Sequence, residues 1–158
     1  MSLKRTVNAK PAPHILLVDD NRAGLSARCA VLRELGYSTT GVDCPDQALE
    51  AFRASTQMGE PFELVITDYK MPGQTGVDLI KAIRSISAEV PVILVSGFVD
   101  ALGLNESNTG ADVVIMKSAN EVTHLVRAVN RHLSGAVRRK GPKSAAPAPK
   151  NRRAASTA

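Results

Sequence analysis

Two hydrophobic rhythms alternate along the chain. HILLV (14–18), FELVI (62–66), PVILV (91–95) and DVVIM (112–116) are short, nearly continuous apolar runs rich in Val and Ile. Such runs suit strands covered on both faces of a parallel sheet. YSTTGV (37–42) is a weaker run of the same kind. Between the runs, apolar residues recur at helical spacing. Leu25, Val31, Leu32 and Leu35 mark a first helix that Gly36 stops. Ala48, Leu49 and Phe52 mark a second, and Val77, Leu79, Ile80, Ile83 and Ile86 a third behind Thr75 as N-cap. Val122, Leu125, Val126, Val129 and Leu133 mark the last. A fourth helix belongs between Ser96 and Gly110, but NESNTG is poor helix material, so this helix is expected to be short or mobile.

This alternation predicts an α/β fold, a doubly wound five-stranded parallel sheet with five helices on its two faces and right-handed crossovers. Ligands in such folds bind beyond the carboxyl ends of the strands, where strand order reverses. The residues expected there are Asp19 and Asp20, Asp68, Ser96 and Lys117. Asp68 raises the sharpest question, because a carboxylate closing an apolar strand costs solvation energy unless it is paired or bound to a cation.

Three carboxylates brought together repel and raise one another's pKa unless a cation sits among them. Hard oxygen donors with few neutral ligands suit Mg2+. Lys117 adds a movable point charge for a carboxylate or a phosphoryl oxygen, and Ser96 a hydroxyl donor. The chain has no Gly-rich phosphate cradle, so a bound nucleotide is not implied. The set can neutralise charge while an aspartate attacks a phosphoryl donor and forms an acyl phosphate. Asp19 and Asp20 have a plainer reading as caps of the first helix. Tyr69 and Met71 read as packing residues.

Charge divides the chain. The whole carries +5, yet all 15 acidic residues lie between 14 and 134, where ten basic residues leave a net −5. Residues 1–12 read as a basic flexible arm, 13–134 as one domain, and 135–158 as a basic, Pro/Ala-rich tail expected to be disordered. A chain of 158 residues can bury a core without staples. No apolar run approaches the ~18–20 residues of a membrane span, and the N-terminus lacks the hydrophobic segment of a signal peptide. Cys29 and Cys44 have no metal-ligand spacing and read as reduced cytoplasmic thiols.

Four stretches, each at the end of an expected strand, carry a resemblance: ILLVDDN, LVITDYKMPGQTG with its D-x-x-M-P-x-x-x-G pattern, VILVSG and GADVVIMKS. Residues 13 to 134 resemble a response regulator receiver domain, the phosphoacceptor module of two-component signalling. The resemblance implies a flavodoxin-like sheet of order 2-1-3-4-5 and phosphorylation of Asp68. It implies a Mg2+ site in which Asp20 and Asp68 bind directly, Asp19 acts mainly through water, and the Lys70 backbone carbonyl completes the set. Ser96 and Lys117 would contact the phosphoryl group, Ser96 by moving toward it. The phosphoryl donor would be a histidine kinase or a histidine phosphotransfer protein. The outputs it allows are contact with a downstream protein through the fourth helix, fifth strand and fifth helix, and a phosphorylation-dependent dimer.

The sequence departs from the family at two places. Ser118 follows Lys117 where proline is usual, often after a cis bond, and a non-proline cis bond costs ~2.5–4 kcal/mol. Val114 stands where an aromatic residue usually moves with the hydroxyl, so the usual aromatic relay is not expected. Lys70 and Phe98, two residues beyond Asp68 and Ser96, occupy positions that set phosphoryl lifetime in the family. Phe98 would exclude water and Lys70 would pair with phosphoryl oxygens, so a long-lived phosphorylated form is expected.

The 24 residues after 134 are too few for a winged helix, so the first reading is a stand-alone receiver that signals by protein contact. A second reading has the tail bind nucleic acid or an anionic surface under phosphorylation control. Seven cations favour it, but the tail lacks aromatics for base stacking, which leaves nucleic acid the weaker expectation. A third is a degenerate receiver acting only as a binding module. A metal-dependent phosphatase would need a second carboxylate two residues past Asp68, and Lys70 stands there. A dedicated enzyme is therefore not expected.

Overall fold

The computed structural model describes residues 11–139, so most of the arm expected at 1–12 and most of the tail expected at 135–158 lie outside the described residues. The chain runs β1 (His14–Val18), α1 (Arg22–Glu34), β2 (Ser38–Val42), α2 (Pro45–Gln57), β3 (Leu64–Asp68), α3 (Gly76–Ile86), β4 (Val92–Ser96), α4 (Val99–Leu102), α5 (Glu106–Thr109), β5 (Val113–Met116) and α6 (Glu121–Arg139). All strands pair in parallel in the order β2-β1-β3-β4-β5, as the sequence predicts. None of the helices among the described residues is long and apolar enough to cross a membrane.

Period-two alternation along the buried strands builds two cores. Ile15, Leu17, Leu64, Ile66, Ile93 and Val95 point to one face, where Leu25, Cys29 and Leu32 of α1 meet Leu125, Val129 and Leu133 of α6. Leu16, Val18, Val65, Val92 and Leu94 point to the other, against Ala48 and Phe52 of α2 and Leu79, Ile80 and Ile83 of α3. Leu35 and Val122, expected on core faces, are instead exposed.

The expected five helices are six among the described residues. The single helix foreseen between Ser96 and Gly110 is two isolated turns, α4 and α5. Gly103 closes α4 in the left-handed region at φ 59°. Asn105 and Asn108 then cap each other's backbone N–H groups, and the Asn108 side-chain amide donates to the Gly103 carbonyl at 2.8 Å. These side chains satisfy the backbone in place of a continuing helical ladder. At the other end, α6 continues to Arg139, five residues past the domain end placed at 134.

The strand ends bear on function. β3 and β4 extend beyond the apolar runs, so Asp68 and Ser96 are the last residues of their strands, with Asp68 opposite Val95 and Ser96 opposite Met116. Both are buried.

Candidate functional site

β1, β3, β4 and β5 all end on one edge of the sheet, and their terminal residues meet there. The carboxylate oxygens of Asp19, Asp20 and Asp68 lie within 4.8 Å of one another. Lys117, just past β5, places its ammonium 3.2 Å from Asp68 Oδ1 and 3.5 Å from Asp19 Oδ2. An open cleft of about 440 Å3 reaches the cluster, walled by Asp20, Asp68, Lys70, Pro72, Phe98 and Lys117.

The cap of α1 is Asn21, whose side chain accepts from the Gly24 N–H at 3.1 Å. The plainer reading of Asp19 and Asp20 as helix caps is therefore incorrect. Asp19 folds inward instead and accepts from the Asn21 N–H through Oδ1 at 2.9 Å. Asp20 remains exposed at the cleft.

Asp68 owes its placement to the turn that follows. The Gly76 N–H donates to the Tyr69 carbonyl at 2.6 Å, and a Cβ on Gly76 would stand 2.2 Å from the Asp68 carbonyl oxygen and 2.9 Å from Leu94. Only glycine permits that approach. Thr75 then opens α3 through a capping box with Asp78. Met71 is buried and Tyr69 packs partly into the α2/α3 core, as packing residues should.

The two central carboxylates titrate in opposite directions. Burial pushes Asp19 up, but the Asn21 amide, Arg28 and Lys117 outweigh it and hold Asp19 below the usual carboxylate range. Burial and the neighbouring Asp19 charge push Asp68 up, against Lys117 and the Tyr69 amide. Asp68 Oδ1 is engaged by Lys117 and by the Tyr69 N–H at 2.8 Å. Among the described residues no partner meets Oδ2, which leaves this oxygen for incoming chemistry.

Ser96 lies beside the cluster with its hydroxyl turned to its own loop, where it accepts from the Phe98 N–H at 2.9 Å. Its carbonyl accepts from the Lys117 N–H at 2.9 Å. The Lys117–Ser118 peptide is trans. Val114 is half-buried against the α2/α3 core. Lys70 and Phe98 stand at the cleft mouth in contact with each other, the ammonium 5.3 Å from the ring centroid.

The sequence reading missed Arg28. Its guanidinium bonds Asp19 Oδ2 at 2.5 Å and Glu121 Oε1 at 2.6 Å. The signal was present: with Leu25 and Leu32, Arg28 makes the i, i+3, i+7 spacing of the buried stripe of α1.

The donor set consists of hard oxygens, which fits Mg2+ and similar hard divalent cations, and the cleft gives access to it. Asp19, Asp20 and Asp68 are the carboxylates that could hold such an ion.

The comparisons agree with this geometry. Over 89 residues the chain is 36% identical to two-component response regulator ORR3 of Oryza sativa, covering 55% of this chain and 65% of that protein. It is 31% identical over 119 residues to transcriptional regulatory protein AruR of Pseudomonas aeruginosa, covering 75% of this chain and 48% of AruR. The chain thus spans less than two thirds of the length of these relatives. The CheY-like receiver domain protein of Methanospirillum hungatei superposes with a TM-score of 0.70 at 25% identity, covering 81% of this chain and 98% of that one. The response regulator protein TrrA of Thermotoga maritima, solved with Mg2+ and BeF, superposes at 0.64 with 27% identity over 75% of this chain and 97% of that one. The response regulator receiver domain profile matches residues 15–130, and with the sheet order and the strand-end aspartates already in place, the chain belongs to the response regulator receiver domain family.

Proposed function

We propose that Asp68 is the phosphoacceptor of this receiver and that its phosphorylation gates a protein contact. The observation that carries this reading is the position of Asp68: buried at the end of β3, one oxygen held by Lys117 at 3.2 Å and the other without a partner among the described residues. Receivers of this family are signalling modules and not dedicated enzymes, and any loss of phosphate from Asp68 is incidental to that role.

In the transfer, Asp68 Oδ2 attacks the phosphorus of a phosphohistidine on a histidine kinase or phosphotransfer protein. The P–O bond forms as the P–N bond breaks, and the imidazole leaves with the electron pair. Lys117 gives up part of its contact with Asp68 Oδ1 to meet a phosphoryl oxygen, and Ser96 releases the Phe98 N–H to donate its hydroxyl to another. A Mg2+ held by Asp20, Asp68 and the Lys70 carbonyl, with Asp19 acting mainly through water, would neutralise the growing negative charge. The similarity to a regulator solved with Mg2+ and BeF supports the ion.

Val114 replaces the usual aromatic, so the change at Ser96 is passed on through the backbone shared with β5. The output surface is the α4/α5 turns, β5 and α6, where a downstream protein or a second copy would read it. A phosphorelay fed by a histidine kinase supports a cytoplasmic location.

Incubation with Mg2+ and acetyl phosphate, followed by mass spectrometry of the intact protein, tests the assignment. The expected result is one added phosphoryl group on the wild type and none on Asp68→Asn. Modification of the Asn variant to the same extent would move the phosphoacceptor elsewhere.

A further inference from the structure

Arg28 does not belong to the chemistry described above, yet it is tied to it more closely than any other residue of α1. Its side chain is 10% exposed and lies on the helix face that carries Leu25, Cys29 and Leu32 into the core. A guanidinium so placed costs several kcal/mol of desolvation unless well paired. Its two partners are Asp19, 2% exposed, and Glu121, 15% exposed. Asp19 is the innermost carboxylate of the acidic cluster. Glu121 opens α6 and donates its own N–H to the Ser118 carbonyl, in the loop leaving Lys117.

Asp19 is thereby occupied on every side. Oδ1 takes the Asn21 N–H, and Oδ2 takes Arg28 at 2.5 Å and Lys117 at 3.5 Å. A cation entering the cluster would draw on the charge of Asp19, which Arg28 already engages. Asp20, exposed at the cleft, carries no comparable claim.

We propose that Arg28 is a built-in counter-cation that competes with a divalent cation for Asp19 and, through Glu121, couples occupancy of the acidic site to the first turn of α6. The inference rests on the cation reading of the site. Arg28 acts through Asp19 and is a positioning residue. Glu121 keeps the guanidinium paired when Asp19 turns to the cation, so the exchange strands no buried charge. The guanidinium meets its two partners through different nitrogens, Nη1 for Asp19 and Nε for Glu121, a planar fork that the single nitrogen of a lysine does not reproduce.

The test is Mg2+ titration of the full chain by calorimetry, with circular dichroism confirming the fold of each variant. Removing one cation within hydrogen-bond reach of the cluster changes its attraction for Mg2+ by an amount that dominates structural noise. Arg28→Gln is expected to tighten Mg2+ binding about fivefold or more. Glu121→Gln leaves Arg28 to Asp19 alone and is expected to weaken binding about two- to threefold. In the double variant the Glu121 effect disappears, because the group that relays it is gone. Amide shifts of residues 121–124 on Mg2+ addition are expected in the wild type and lost in Arg28→Lys. A merely structural Arg28 would instead give weaker binding in both single variants. Unchanged or weaker affinity in folded Arg28→Gln overturns the proposal while leaving the cation site intact. A folded wild type that binds no Mg2+ overturns the cation reading itself and the proposal with it.

Discussion

The ammonium of Lys70 lies over the ring of Phe98, 5.3 Å from its centroid, and the two come from the loops that follow β3 and β4 and line the cleft at Asp68. Phe98 is 40% exposed, so the ring is not buried in a core. It is held at the cleft mouth by the cation–π contact, an interaction worth about 0.5–1 kcal/mol at such sites. The pair would screen part of the path by which water reaches a phosphoryl group on Asp68. The phosphorylated form is expected to persist for minutes or longer without a phosphatase, and Phe98→Ala to shorten its lifetime several-fold. Decay of the phosphorylated band on a phosphate-affinity gel measures both. Loss within seconds in the wild type would remove the shielding role.

Gly76 is expected to be intolerant of any side chain. A Cβ there meets the Asp68 carbonyl at 2.2 Å, and backbone cannot step aside as a flexible side chain would. Gly76→Ala is expected to cost about 2 kcal/mol or more, by the scale of overpacked cores, and to lower phosphorylation because the carbonyl it displaces belongs to Asp68. Urea unfolding alongside acetyl phosphate labelling reads the two effects.

Metal-free protein is expected to gain stability from Asp68→Asn. The folded-state pKa of Asp68 is raised, by burial first and by Asp19 second, so the folded state carries a penalty for the ionised form. The penalty is absent below the unfolded value of about 3.9 and complete above the raised folded value. The melting-temperature advantage of the Asn variant is therefore expected to grow as pH rises through that interval and to vanish in acid. Asp19 runs the other way: its depressed pKa contributes stability above its unfolded value and loses it as pH falls through the folded one.

Lys117→Ala leaves Asp19 and Asp68 with less compensation. Its ammonium is partly exposed, with the side chain 30% accessible, so a loss of about 1–2 kcal/mol is expected, less than for a fully buried pair. Phosphoryl transfer should fall further than stability does, since Lys117 would also meet the incoming oxygens. Parallel urea titration and labelling rates separate the two.

Most of the fold is legible in the chain because its strands are apolar on both faces and its helices are punctuated. Gly36, Thr75 and Gly110 sit where helices stop or start. What escaped notice came from side chains acting against local rules. Asn105 and Asn108 break the segment between β4 and β5 by bonding each other's backbone, which helix propensity foretells only as weakness. Asp68 and Ser96 lie inside their strands because ladder pairing with Val95 and Met116 outweighs the polarity that marks a strand's end. Arg28 is hard to read from the sequence because apolar periodicity skips a charge on the buried stripe. The meeting of Asp19, Asp68 and Lys117 was visible early, since parallel strands deliver their last residues to one edge.

The hydrogen bond from the Lys117 N–H to the Ser96 carbonyl joins the two groups that would greet the phosphoryl oxygens. A shift of either main chain would carry the other with it, so a partner reading this surface would meet the ends of β4 and β5 displaced together.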